Sequence, residues 1–209
     1  MMKKLLLLLI APFIIAGAMA QSAKKIMDDT ADAFRKSSGT IVSFTATQQS
    51  ARHAVAPITG VITLRNNSFA LDSDALKAWF DGTTLWTSLN NSGEVNVSNP
   101  TPEEIQAINP MYFISLYEQG YELSNKTIKH KGRTAHEVSM KAKSKDASVQ
   151  EMVVIIDKSL STPMQIKVRK GVVWMIIDVN SYRANQNTPA TAFVFNEKAY
   201  PNYEVIDLR

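Results

Sequence analysis

The segment at residues 76–89, LKAWFDGTTLWTSL, constrains the fold more than any other stretch of the chain, because it reads as an aromatic β-hairpin. Asp81-Gly82 is a strong reversal signal, since both residue types tolerate the positive φ of a tight turn. Pairing parity then has a geometric consequence. With a two-residue loop (Asp81-Gly82) or a four-residue loop (81–84), Trp79 and Trp86 share one face, whereas a three-residue loop separates them. Two indoles on one sheet face are either the base of a core or one wall of an apolar pocket.

The same period of two runs through much of the chain. IVSFTATQQ (41–49) and ITGVITL (58–64) precede the hairpin, and further strands are expected at 121–130, 134–141, 150–157, 164–169, 172–182 and 193–195. Residues 152–156 and 172–179 are apolar at both alternating positions, so the sheet there requires cover on both sides. A helix is expected over 22–38, with Ile26, Thr30, Ala33 and Phe34 on one stripe, Ser22 as N-cap and Gly39 as the stop. The sheet is interrupted at 98–120, where Thr101-Pro102-Glu103-Glu104 is a capping box with proline at the first helical position. Asn109-Pro110 breaks this insertion into two short helices that form an apolar flap of Ile105, Ile108, Met111, Ile114 and Leu116.

Residues 1–20, MMKKLLLLLIAPFIIAGAMA, have the layout of an export signal: Lys3 and Lys4, an apolar run, then the small-x-small site Ala18-Met19-Ala20. The apolar run is shorter than the roughly 18 to 20 residues that span a bilayer. The expected mature chain is 21–209, a single domain and a monomer, soluble in the periplasm. With no cysteine in the sequence, disulfides, thiol catalysis and lipid attachment at the cleavage site are all removed. Loss of Lys3 and Lys4 lowers the net charge from +4 to +2, which gives no support to nucleic-acid binding.

Signals for catalysis are sparse. His53, His130 and His136 lack an HxxxH spacing, and the chain has no G-x-S-x-G elbow and no glycine-rich phosphate loop. A pair of glycosidase carboxylates leaves no local motif, but the acids here sit in a helix first turn or on a solvated helix face. The expectation is a binding protein without cofactor or metal. KTIKHKGR (126–133) gathers basic residues around a Lys131-Gly132 turn, which is either a soluble hairpin tip or a docking patch for anionic lipid or an acidic protein. Trp79, Trp86, Met111, Phe113, Trp174 and Met175 are the candidate ligand-binding residues, with Phe80 and Tyr112 beside them. Their association with a proline-broken flap and an amphipathic helix favours a cavity over an ordinary core.

In order, these pieces resemble the LolA-type periplasmic carriers of outer-membrane lipoproteins. The resemblance rests on the N-terminal amphipathic helix, Ser43-Phe44-Thr45-Ala46-Thr47-Gln48, Gly60-Val61-Ile62-Thr63-Leu64, the Asp81-Gly82-Thr83-Thr84-Leu85-Trp86 hairpin, the helical insertion, Phe193-Val194-Phe195, and Tyr200-Pro201-Asn202-Tyr203-Glu204-Val205-Ile206-Asp207. It implies an α+β, mainly antiparallel fold: a half-open β-barrel covered by helices around a cavity that shields the acyl chains of a lipoprotein or another amphiphile. It also implies an inner-membrane donor complex and an outer-membrane acceptor. The family latches its lid with an arginine followed by proline, whereas this chain has Leu64-Arg65-Asn66, which makes Arg65 the candidate latch of a divergent member. A lipid-sensing regulatory protein of the same fold is the alternative function.

Overall fold

The computed structural model describes residues 11–49, 55–109, 117–118 and 120–209. Helix α1 (Ala11–Arg35) leads into β1 (Thr40–Gln49), β2 (Ile58–Arg65), β3 (Ser68–Ser73), β4 (Leu76–Phe80), β5 (Leu85–Leu89) and β6 (Glu94–Ser98). The short helix α2 (Pro102–Ile108) follows, then β7 (Tyr121–His130), β8 (Arg133–Ala142), β9 (Glu151–Asp157), β10 (Pro163–Lys170), β11 (Val173–Arg183) and β12 (Glu204–Asp207). Among the described residues all twelve strands belong to one sheet, ordered β12-β6-β5-β4-β3-β2-β1-β11-β10-β9-β8-β7. Every ladder is antiparallel except β12 with β6, and β12 and β7 remain as separate edges, so the sheet is curled but unclosed.

Local sequence accounts for the curl. Asn180 is an extra residue in β11 opposite Ser43 and Phe44, and Met164 is an extra residue in β10 opposite Ile155 and Ile156. Each bulge bends its strand and increases the local twist. One face of the sheet then carries a continuous core. Phe44, Ile62, Phe69, Phe80 and Leu85 from one half join Val138, Met140, Met152, Ile166 and Ile177 from the other in a single buried cluster. Helix α1 adds Ala23, Met27 and Ala31, spaced by four residues so that they fall on one stripe, and it packs against β7 and β8. Fully burying the Met27 side chain contributes about 1.5 to 3 kcal/mol.

The hairpin takes the four-residue loop. Phe80 pairs with Leu85, Asp81 Oδ1 accepts from the Thr83 and Thr84 amides at 2.8 Å each, and Gly82 adopts φ +109°. The capping box on α2 forms as expected, with Thr101 N donating to Glu104 at 2.7 Å and Glu104 N donating to the Thr101 hydroxyl. Other expectations are corrected. Helix α1 is already in place at Ala11, because AMAQSAKK contains no residue that breaks a helix, so Ser22 lies inside it and its hydroxyl accepts from Asn125 Nδ2 at 3.1 Å. The helix also ends at Arg35, before Gly39, and Ala33 is exposed while Met27 and Ala31 take the buried stripe. Residues 193–195 alternate in burial without joining a ladder: a 3-10 turn covers Ala190–Phe193, and the terminal strand forms at Glu204–Asp207. Strands β3 and β6 add to those expected.

Candidate functional site

The buried cluster on the inner face of the curl contains no charged group among the described residues. Its fully buried floor is fringed by half-buried apolar side chains: Ala46, Met175, Val179 and Tyr182 on the β1–β11 seam, Leu123 on β7, and Ile105 and Ile108 on α2. The seam explains the first group. Phe44, Ala46 and Gln48 pair with Val179, Ile177 and Met175, so alternate residues of two neighbouring strands point the same way. Burial raises the pKa of the phenols of Tyr121 and Tyr182, the response of an ionisable group to a low-dielectric surround. Tyr121 is held there by donating to the Val149 carbonyl at 3.0 Å.

Helix α1 is tied to the segment that leads into β7. The Tyr117 hydroxyl, in a side chain that is 3% exposed, donates to Asp28 Oδ1 at 2.7 Å, and Lys24 bonds the same carboxylate at 2.8 Å while lying 5.7 Å from the Tyr117 ring. Hydrogen bonds from Lys24 and then Tyr117 hold the Asp28 carboxyl below its ordinary 3.8. Arg35 reaches Glu118 at 3.2 Å. The sequence marks none of these five residues as a tie. The only signal available was a row of charges on the helix face, and charge rows are usually solvated.

The structure separates the expected ligand-binding residues. Trp79 and Trp86 pair directly and share a face, as parity requires, but that face is the outer one. The C-terminal segment covers it, with Trp79 lying 5.3 Å from the Phe195 ring and 5.6 Å from Tyr200, and Val97, opposite Trp86 on β6, is buried. Trp174 is also on the outer face, paired with Arg169 and 5.9 Å from its guanidinium. Of the described candidates, Met175 alone lies on the inner face. Met111 and Phe113 lie outside the described residues, as do Tyr112, Ile114 and Leu116 of the expected flap. Arg65 is joined to the C-terminal segment: Nη1 donates to the Thr188 carbonyl at 2.5 Å, and the guanidinium sits 5.5 Å from the Phe193 ring.

Among the described residues, no helix is long and apolar enough to cross a membrane, and no three His, Asp or Glu side chains converge on a metal position. A search of curated proteins gives no match. A solved structure with a similar fold is known. The lipoprotein LppX of Mycobacterium tuberculosis superposes with a TM-score of 0.52 at 11% identity, covering 81% of this chain and 98% of its own. A LolA superfamily protein from Nitrosomonas europaea gives 0.44 at 9% identity, covering 83% and 97%, and a DUF1329 family protein from Desulfovibrio piger gives 0.49 at 8%, covering 87% and 99%. The family model described as outer membrane lipoprotein carrier protein LolA matches residues 14–172, from helix α1 through to the β10–β11 turn. The chain belongs to the LolA family of outer membrane lipoprotein carriers.

Proposed function

We propose that this protein is a periplasmic carrier that takes the acyl chains of a lipoprotein, or of another amphiphile, against the inner face of its curled sheet and delivers them toward the outer membrane. The observation that carries the reading is the apolar cluster on the inner face under α1, whose fringe of Ala46, Met175, Val179 and Leu123 stays half-exposed while its floor is sealed. Family membership supports the same reading.

A carrier must also let go. Burying a methylene contributes about 0.8 kcal/mol, so complete burial of several long chains would be too tight for exchange. A half-covered fringe suits reversible loading, and Met175, unbranched and polarizable, adapts to chains of different length. The half-open barrel, the lid and the transfer between a donor complex and an outer-membrane acceptor belong to this proposal.

Native purification from the periplasm followed by mass spectrometry of bound lipid tests it. Recovery of lipoprotein or diacyl lipid is expected, and its loss on introducing a charge with Met175→Glu would locate it. Recovery free of lipid, together with failure to bind a fluorescent fatty acid, would overturn the carrier reading; stable co-purification with a membrane regulator in place of cargo would assign the fold to sensing.

A further inference from the structure

At one corner of the sheet the β7–β8 turn and the β9–β10 turn come together: the Lys158 amide donates to the Thr134 carbonyl at 3.1 Å. Lys129, Lys131, Arg133 and Lys158 are all exposed here. Two of them have acidic partners, Lys131 with Asp178 at 2.8 Å and Arg133 with Asp157 at 2.7 Å. Lys129 instead donates to the Thr134 hydroxyl at 2.8 Å, and among the described residues neither Lys129 nor Lys158 pairs with a carboxylate. The corner therefore keeps a surplus of positive charge. It surrounds a recess of about 460 Å³ lined by Arg133, Thr134, Asp157, Lys158 and Ser159.

The same turn presents a leucine to solvent. Leu160 is 57% exposed, and its position is fixed. Asp157, whose side chain is 1% exposed, accepts from the Ser159 amide at 2.8 Å, the Ser159 hydroxyl at 2.6 Å and the Leu160 amide at 2.9 Å. The Ser161 amide closes the loop on the Asp157 carbonyl at 2.9 Å. A single exposed leucine is ordinary by itself. A leucine held outward by a buried carboxylate, and rimmed by cations, is not, because little further ordering is needed when it enters an apolar phase.

We infer that this corner docks on an anionic lipid bilayer, with Lys129, Arg133 and Lys158 against lipid phosphates and Leu160 entering the acyl boundary. Charge complementarity selects the surface and the leucine gives it depth. The inference concerns the outer rim of the sheet and holds whatever the inner face carries.

The test is co-sedimentation of the purified protein with phosphatidylcholine vesicles, with and without phosphatidylglycerol. Binding should require phosphatidylglycerol, weaken with added salt, and fall about fivefold for each cation removed in Lys129→Gln and Lys158→Gln. Leu160→Ser should weaken it without changing its salt dependence. Val172, 86% exposed at the turn after β10, at the other end of that strand, provides the control, and Val172→Ser should bind as the parent does. All four side chains are exposed, so unchanged circular dichroism and melting temperature are expected of every variant. Equal binding to both vesicles, no binding to either, or a Val172→Ser defect matching that of Leu160→Ser overturns the inference. Salt-sensitive retention on polyglutamate without vesicle binding also overturns it, and assigns the corner to an acidic protein.

Discussion

The Tyr117 hydroxyl and the Asp28 carboxylate are 2.7 Å apart, which fastens the segment entering β7 to the helix that lies along β7 and β8. Any loosening of α1 from that segment passes through this bond. Tyr117→Phe keeps the ring and removes the bond, and should lower stability by about 0.5 to 1.5 kcal/mol. Hydrogen exchange at residues 117–118 and along 26–35 should rise in parallel; a rise confined to one of them would mean that the two move independently.

Acid should act on the same tie. The Asp28 carboxyl is held below 3.8, so its contribution to stability is complete above that value and is lost as the pH falls through the lowered one. Asp28→Asn should therefore melt below the parent at neutral pH, with the gap narrowing as the pH drops under about 3.8. A gap that is constant across the range would show that the charge of Asp28 is irrelevant.

Arg65→Leu should release the C-terminal segment. Removing a donor to the Thr188 carbonyl and the cation beside Phe193 is expected to cost about 1.5 to 3 kcal/mol. Exchange at residues 186–195 should increase before that of the inner floor. Increased exchange confined to residues 101–109 would instead restore Arg65 to the flap.

Trp79, Trp86 and Trp174 all lie on the outer face, so intrinsic fluorescence should change little on binding an amphiphile. Met175→Trp places a reporter on the inner face and should shift to the blue when loaded. Quenching of Trp79 or Trp86 in a Trp174→Phe background would move the ligand to the outer face.

Gly60→Ala should destabilise the sheet by about 1 to 3 kcal/mol, since its Cβ would fall 2.9 Å from both Phe44 Cζ and Ser73 Cβ. Combining it with Phe44→Leu, which withdraws the ring, should recover part of the loss in a thermal melt.

The hairpin parity of Trp79 and Trp86 was legible in the sequence because alternation is a local property. Which face they take was not, because the covering rings of Phe195 and Tyr200 lie more than a hundred residues away. The period-two runs revealed most strands. They misled at 193–195, where Phe193 and Phe195 are buried in alternation but pack on side chains in place of a neighbouring strand. Arg65 stood out through family resemblance as a residue to follow, while its bond to Thr188 depended on tertiary placement that the sequence does not carry. The Tyr117–Asp28 tie showed only as a charge on the helix face, since its two ends are separated by the whole first half of the sheet.

The central position of β1 has a consequence for how the protein reaches this state. Strands β2 to β6 pair in sequence order, and so do β7 to β11, so each half can assemble from short-range contacts as its own residues emerge. The two halves join through β1 and β11, the first strand waiting for almost the last. Closing so long a loop is slow. Until it closes, Phe44 has no Val179 beside it, and the oily side of the first half stands open to proteases and holding chaperones through most of the chain's maturation.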